Sequence, residues 1–228
     1  MHDLRHLAGA AIAFDLDGTL VDTAPDLVGT LNAILAEEGL PPLPFDTVRM
    51  MVGRGARRLL ERGFAAAGEP LDAPRSDALT QRFIAMYLAR IARESRPFPG
   101  AREALETLRS AGAVLSVCTN KPTNLSLALL NALDLACYFH AIVGPDLAPA
   151  AKPDPRHLFT AIERSGGERA KALLVGDSET DIATAKAAGL PVIAVTFGYT
   201  EIPCADLNPD ALIDRFDDLP AICGRCLA

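Results

Sequence analysis

Apolar residues follow two patterns along this chain. Short runs at Ala11–Phe14, Val114–Cys118, Ala141–Val143, Ala172–Val175 and Val192–Val195, with Ala211–Ile213 as a sixth candidate, are hydrophobic at nearly every position. Runs of that kind suit strands covered on both faces, and hence a parallel sheet. Helical spacing fills the intervals. Ala104, Leu105 and Leu108 share a face after Pro99-Gly100 and before Gly112. Pro155 takes a first-turn position ahead of Leu158, Phe159 and Ile162, and Gly166-Gly167 closes that segment. Glu179 to Ala188, closed by Gly189, is a third helix. Strand alternating with helix over residues 99–200 predicts an α/β fold, a doubly wound Rossmann-like sheet with right-handed crossovers.

The interval after the first strand is different. From Thr23 to about Pro97 no strand pattern occurs, while helical periodicity recurs at Leu27, Leu31, Ile34 and Leu35, at Leu59, Leu60 and Phe64, and at Leu79, Phe83, Met86 and Tyr87. Breaks are expected at Gly39–Pro44, Gly53–Gly55 and Gly68–Pro74. This predicts a helical cap domain over residues 23–97, inserted into a core made of residues 1–22 and 98–228. The stiff stretch Arg96-Pro97-Phe98-Pro99-Gly100 is expected to be the hinge.

Composition narrows the function classes. A chain of 228 residues buries enough surface to fold without staples. Its net charge of −7 argues against a nucleic-acid partner, and the absence of Trp argues against a stacking platform. No apolar run reaches membrane-span length, and Leu7 to Phe14 reads as a buried strand rather than a signal segment. Five cysteines are too few and odd in number for a disulfide framework, which points to the cytoplasm. Cys118 reads as core, and Cys223 with Cys226 as a solvent-side tail, a redox pair being the lesser reading. His2, His6, His140 and His157 lack ligand spacing and are expected at the surface or satisfied. Met50-Met51 reads as cap core.

Polar residues of a particular kind collect just past the strand ends. Asp15 and Asp17 follow the first strand, Thr119-Asn120 the second, Lys152 lies beyond the third, and Asp177 follows the fourth with Asp181 four residues on. Open α/β sheets bind ligands at that edge. Clustered carboxylates repel one another unless a cation joins them, and oxygen ligands without a nearby His suit Mg²⁺ better than zinc. Any one of these aspartates alone reads more simply as a loop or cap residue. Agreement at four strand ends favours a site.

Asp15-Leu16-Asp17-Gly18-Thr19-Leu20-Val21-Asp22-Thr23, Thr119-Asn120-Lys121-Pro122, Lys152-Pro153-Asp154-Pro155 and Gly176-Asp177-Ser178-Glu179-Thr180-Asp181-Ile182 together resemble the four ordered motifs of the haloacid dehalogenase superfamily. Residues 23–97 resemble its α-helical caps. Within it, Val52-Gly53-Arg54-Gly55-Ala56 and Phe98-Pro99-Gly100 are most similar to the phosphoglycolate phosphatases. The resemblance implies that Asp15 attacks phosphorus to form an aspartyl-phosphate. Asp17 would protonate the leaving alcohol and then deprotonate water. It also implies Mg²⁺ on the Asp15 and Asp177 carboxylates and the Asp17 backbone carbonyl, with Asp181 in support. Thr119 and Asn120 would donate to phosphoryl oxygens, and Lys152 would offset the charge of nucleophile and phosphate. Gly18 fits a tight turn with close backbone approach.

The implied activity is a Mg²⁺-dependent phosphomonoesterase acting on a small phosphorylated metabolite, 2-phosphoglycolate first. Asp17 argues against a dehalogenase. A phosphonatase needs a cap lysine, and residues 23–97 have none. A phosphatase for a sugar phosphate or pyrophosphate, a phosphosugar mutase, and a binding protein without turnover are the alternatives; monomer and homodimer both stay open. Five arginines between Arg49 and Arg62 face one acid, Glu61. Arg57, Arg58 and Arg62 read as a solvated helix face. Arg54, bracketed by Gly53 and Gly55, is expected to bind a substrate carboxylate through its guanidinium. Lys121 reads equally as a second phosphate contact and as a solvated loop residue.

Overall fold

Six strands form one parallel sheet in the computed structural model, which describes residues 4–227; His2 lies outside them. The elements are β1 (Ala11–Phe14), β2 (Val21–Asp22), α1 (Ala24–Glu37), α2 (Phe45–Arg49), α3 (Ala56–Ala66), α4 (Ala73–Leu88), β3 (Arg96–Pro97), α5 (Ala101–Ser110), β4 (Val114–Cys118), α6 (Thr123–Ala132), β5 (Ala141–Val143), α7 (Pro155–Arg164), β6 (Ala172–Gly176), α8 (Glu179–Ala188), β7 (Val192–Val195), β8 (Ala211–Ile213) and α9 (Leu219–Cys226). The sheet order is β5-β4-β1-β6-β7-β8. The chain leaves β1 toward β4 and β5, then returns to its other side with β6. That reversal makes the carboxyl end of β1 the topological switch point, where open α/β sheets form their crevice.

The near-continuous apolar runs serve two faces at once. Ile12, Phe14, Leu115, Val117, Leu173 and Val175 join one hydrophobic cluster with Leu105, Leu108 and Leu129 of α5 and α6. Ala11, Ala13, Leu174 and Ala194 join another with Leu158, Ile162 and Ile182 of α7 and α8. Large side chains therefore point one way along β1 and alanines the other, as the period of two dictates. Cys223 of α9 packs fully buried in the first cluster. The expected solvent-side tail is instead a helix, because Leu219 and Cys223 fall one turn apart on an apolar face.

Helices α1–α4 surround a third cluster that includes Leu31, Ile34, Leu60, Phe64, Phe83 and Tyr87. Pro74 does not break the chain there. It occupies the first turn of α4, after an Asp72 side chain that accepts from Arg75 N at 2.9 Å. Residues 23–97 also hold a strand that periodicity missed: β3 pairs antiparallel with β2, Val21 opposite Pro97 and Asp22 opposite Arg96. Two residues are too short to show alternation.

Beside this ribbon Asp26 ties the two ends of the insertion together. Its Oδ2 accepts from Glu94 N at 3.0 Å, Ser95 N at 2.8 Å and Ser95 Oγ at 2.7 Å, with Asp26 and Ser95 fully buried. Asp26→Ala strips the buried Ser95 donors of their acceptor and is expected to cost about 3 kcal/mol. A lower urea midpoint at unchanged m value would register it; a loss under about 1 kcal/mol would mean that water replaces the carboxylate.

Candidate active site

The loop after β1 carries Asp15 and Asp17, and its turn depends on Gly18, whose φ is +88°. A Cβ at Gly18 would run into Asp177 and Tyr199, so glycine lets this loop lie against the end of β6. Asp15, Asp177 and Asp181 each bring a carboxylate oxygen within 4.8 Å of the others, all three buried. Lys152, from the loop after β5, places its ammonium 2.8 Å from Asp15 and 2.6 Å from Asp181.

Three buried carboxylates face one ammonium, and the mismatch shows in their acidities. Burial raises the Asp15 pKa to about 6, with Lys152 opposing and Asp181 adding to the rise. Burial also pushes Asp177 well above the ordinary carboxylate range, reinforced by Asp181 and Asp15. Burial works against the charge on Lys152, yet Asp15 and Asp181 outweigh it and raise its pKa. A divalent cation among these oxygens would remove the repulsion, so the donor set fits Mg²⁺. Asp181 is the most committed of the three. Its Oδ1 accepts from Lys152, and its Oδ2 accepts from Ser178 Oγ at 2.6 Å, Ser178 N at 3.2 Å and Asp177 N at 3.3 Å. That leaves it suited to support rather than primary ligation. Asp177 accepts from Thr19 Oγ1 at 2.8 Å and Tyr199 N at 2.6 Å, two orienting contacts that motif spacing did not single out.

Lys152 is held by residues behind it. Its backbone N–H donates to Asn120 Oδ1 at 3.0 Å and His157 Nδ1 at 3.2 Å, while Asn120 Nδ2 donates to the Lys152 carbonyl at 3.2 Å. Asn120 was expected to donate to a phosphoryl oxygen. Its carboxamide instead grips the Lys152 backbone in both directions, so it positions the lysine. Thr119 is buried beside them, and its Oγ1 accepts from Lys121 N at 3.2 Å.

Lys121 is not the solvated residue that one reading allowed. It is 5% exposed, with Nζ 2.9 and 3.2 Å from the two Asp17 carboxylate oxygens and 3.0 Å from Tyr87 Oη. Only the tertiary fold joins these three, because Tyr87 comes from α4 of the cap. Arg54 sits at the rim, half exposed, and donates to Glu179 of α8 at 3.3 Å. With Asn120 and Lys152 it lines an open cleft of about 620 Å³. Arg57 pairs with exposed Asp77 and, like Arg58, with half-buried Glu61, the arginines themselves lying in water as a solvated face would. Arg62 departs from that expectation, pairing with Glu201 across from the cap. Arg49 does likewise, donating to Phe197 O at 3.1 Å and stacking over Tyr199 with 5.0 Å to the ring centroid. Met51 is buried in the cap cluster, whereas Met50 lines a cavity with Arg54 and Tyr199.

His6 and His140 are exposed and His157 is buried, its Nε2 3.1 Å from Val143 O. Burial lowers its pKa from 6.5 to about 4, which keeps the ring neutral and Nδ1 free to accept from Lys152 N. The unfolded chain takes up a proton near pH 6.5 that the folded chain refuses. The stability due to His157 is therefore full above pH 6.5 and lost as pH falls toward 4, by up to ~3 kcal/mol. The stability gap between wild type and His157→Asn should shrink over that range in denaturant titrations. A gap constant with pH would show that folding does not depend on the neutral ring.

A family profile described as haloacid dehalogenase-like hydrolase matches residues 10–189. A phosphoglycolate phosphatase of Caulobacter vibrioides is 62% identical over 223 residues, covering 98% of this chain and 94% of its own. One from Agrobacterium fabrum is 47% identical, covering 96% and 94%. A solved structure described as a predicted phosphoglycolate phosphatase from Haemophilus somnus 129PT superposes with a TM-score of 0.85 at 32% identity, over 93% of this chain and 97% of that one.

Proposed function

The chain belongs to the haloacid dehalogenase-like hydrolases and is a phosphoric monoester hydrolase, and on that premise we propose that it hydrolyses 2-phosphoglycolate through an aspartyl-phosphate on Asp15. The observation that carries the reading is the meeting of Asp15, Asp177, Asp181 and Lys152 at one strand edge, with Asp17 two residues from the nucleophile. The names of the relatives above support 2-phosphoglycolate as the substrate. We place the enzyme in the cytoplasm, where its five unpaired cysteines stay reduced; none of its described helices is long and apolar enough to cross a membrane.

Asp15 attacks phosphorus with a carboxylate oxygen, and Lys152 holds the other oxygen while offsetting the incoming phosphate's charge. As the ester P–O bond breaks, Asp17 gives its proton to the leaving oxygen. In the second half Asp17 takes a proton from water, which attacks the phosphoryl group and releases Asp15 and inorganic phosphate. Thr119 donates its hydroxyl to a phosphoryl oxygen, and Asn120 keeps Lys152 in place. Mg²⁺, held by the Asp15 and Asp177 carboxylates and the Asp17 backbone carbonyl with Asp181 in support, would supply charge neutralisation at the phosphoryl group. Arg54 at the cleft mouth meets the anionic substrate as it enters. The cap, residues 23–97, closes over the core, residues 1–22 and 98–228, to exclude water.

Asp15→Asn should leave less than a few per cent of wild-type phosphate release from 2-phosphoglycolate, with an unchanged circular dichroism spectrum. Substantial residual turnover, or a phosphoryl adduct trapped elsewhere, would exclude Asp15 as nucleophile. EDTA should silence the enzyme and Mg²⁺ restore it; full activity in chelator would remove the metal from the scheme. Asp17→Asn should lower the rate ~10²–10⁴-fold on an alkyl phosphate, and less in the first step on p-nitrophenyl phosphate, whose leaving group needs no proton. Equal losses in that step would refute the acid role.

A further inference from the structure

The cap and core enclose a second cavity that touches Asp17 but not Asp15, Asp177 or Lys152. Its walls are apolar, with Leu59 of α3 and Phe83 of α4 facing Leu125 of α6. Only two charged residues line it, Asp17 and Lys121. The Lys121 ammonium is buried and donates to both Asp17 oxygens and to Tyr87 Oη, with the Tyr87 ring centroid 4.4 Å away. Nothing in the phosphoryl chemistry uses this cation. Lys152 already serves the nucleophile.

The position of Asp17 says what belongs in this cavity. The atom that Asp17 protonates is the leaving oxygen, so the rest of the leaving group lies against Asp17, inside these walls. From this juxtaposition, and resting on the phosphomonoesterase reading above, we infer that Lys121, oriented by Tyr87, binds an anionic group on the leaving alcohol and selects short carboxylate-bearing phosphate esters. The cavity holds about 30 Å³, and a water-sized group takes roughly 10–15 Å³, so it admits two or three such groups. A carboxylate, with three heavy atoms, is of that scale, and a sugar is well above it.

An ammonium has three donors, and all three are engaged by Asp17 and Tyr87. A substrate carboxylate entering the cavity replaces one of the two Asp17 contacts. One Asp17 oxygen is then released to face the leaving oxygen, while Tyr87 keeps the ammonium in place. Arg54 is less suited to this role. Its side chain is 55% exposed, it pairs with Glu179, and it does not line this cavity. A solvated guanidinium discriminates between ligands less sharply than an ammonium out of water.

The test is kcat/KM for 2-phosphoglycolate against propyl phosphate, a near-isosteric ester without a carboxylate, both with Mg²⁺. Wild type should favour 2-phosphoglycolate by at least the worth of one charge-assisted hydrogen bond, roughly 10–150-fold. Lys121→Met should bring that ratio to within a few-fold of one, mainly through 2-phosphoglycolate, and Tyr87→Phe should narrow it partly. Equal losses on both esters in Lys121→Met would overturn the inference and leave the phosphatase reading intact, since Lys121 would then serve Asp17 alone. Wild type without a preference would overturn it too, and needs no variant to fold. Inhibition of propyl phosphate turnover by glycolate but not by ethylene glycol would support it in the unmodified enzyme; equal inhibition by both would count against it. Wild type inactive on both esters would remove the functional reading and this inference together.

Discussion

Three carboxylates, Asp15, Asp177 and Asp181, share a buried space at the switch point of the sheet with a single ammonium, that of Lys152. Like charges brought this close out of water are costly, and the raised acidities of Asp15 and Asp177 are the sign of that cost. Much of the surrounding structure serves to hold the arrangement. Thr19 and Tyr199 N fix Asp177, Ser178 fixes Asp181, and Asn120 with a neutral His157 fixes the Lys152 loop. A divalent cation among these oxygens would relieve that repulsion and offset the charge that a phosphate brings.

The cap is joined to this site by charge as well as by chain. Arg49 donates to the carbonyls of Phe197 and Gly198, next to the Tyr199 amide that holds Asp177. Arg54 and Arg62 reach Glu179 and Glu201. Lys121 passes contact in the other direction, from the core loop after β4 to Tyr87 in α4. Residues of both parts thus meet around Asp17. In the function proposed above, the chemistry stays in the core and the cap selects what lies beside it.

The positions of all six sheet strands were legible because a strand buried on both faces needs apolar residues at every step, a pattern that loops and surface helices lack. Helices α5, α7 and α8 were legible from their caps and periodicity. Missing were β2 and β3, whose two residues each carry no period, and α9, whose C-x-x-C drew attention away from the apolar face formed by Leu219 and Cys223. Local signals fade where an element is shorter than its own repeat.

Within the site, residue identity and order were enough to nominate Asp15, Asp17, Thr119, Lys152, Asp177 and Asp181, since each stands at a fixed offset from a strand end and the sheet brings those ends together. Offsets along the chain do not say which side chain meets which. Asn120 turned out to grip the Lys152 backbone, Arg54 to pair with Glu179 at the rim, and Lys121 to lie buried between Asp17 and Tyr87. Each partner lies at least 32 residues away, in another strand-end loop, at the start of α8 or in the cap. The sequence by itself determined the strands and nominated the helical insertion and the chemistry-bearing residues, because these depend on local periodicity and on residue type at strand ends. Tertiary structure alone decided burial and partnership, because a lysine is solvated or locked according to what packs over it, and that cover arrives from distant parts of the chain.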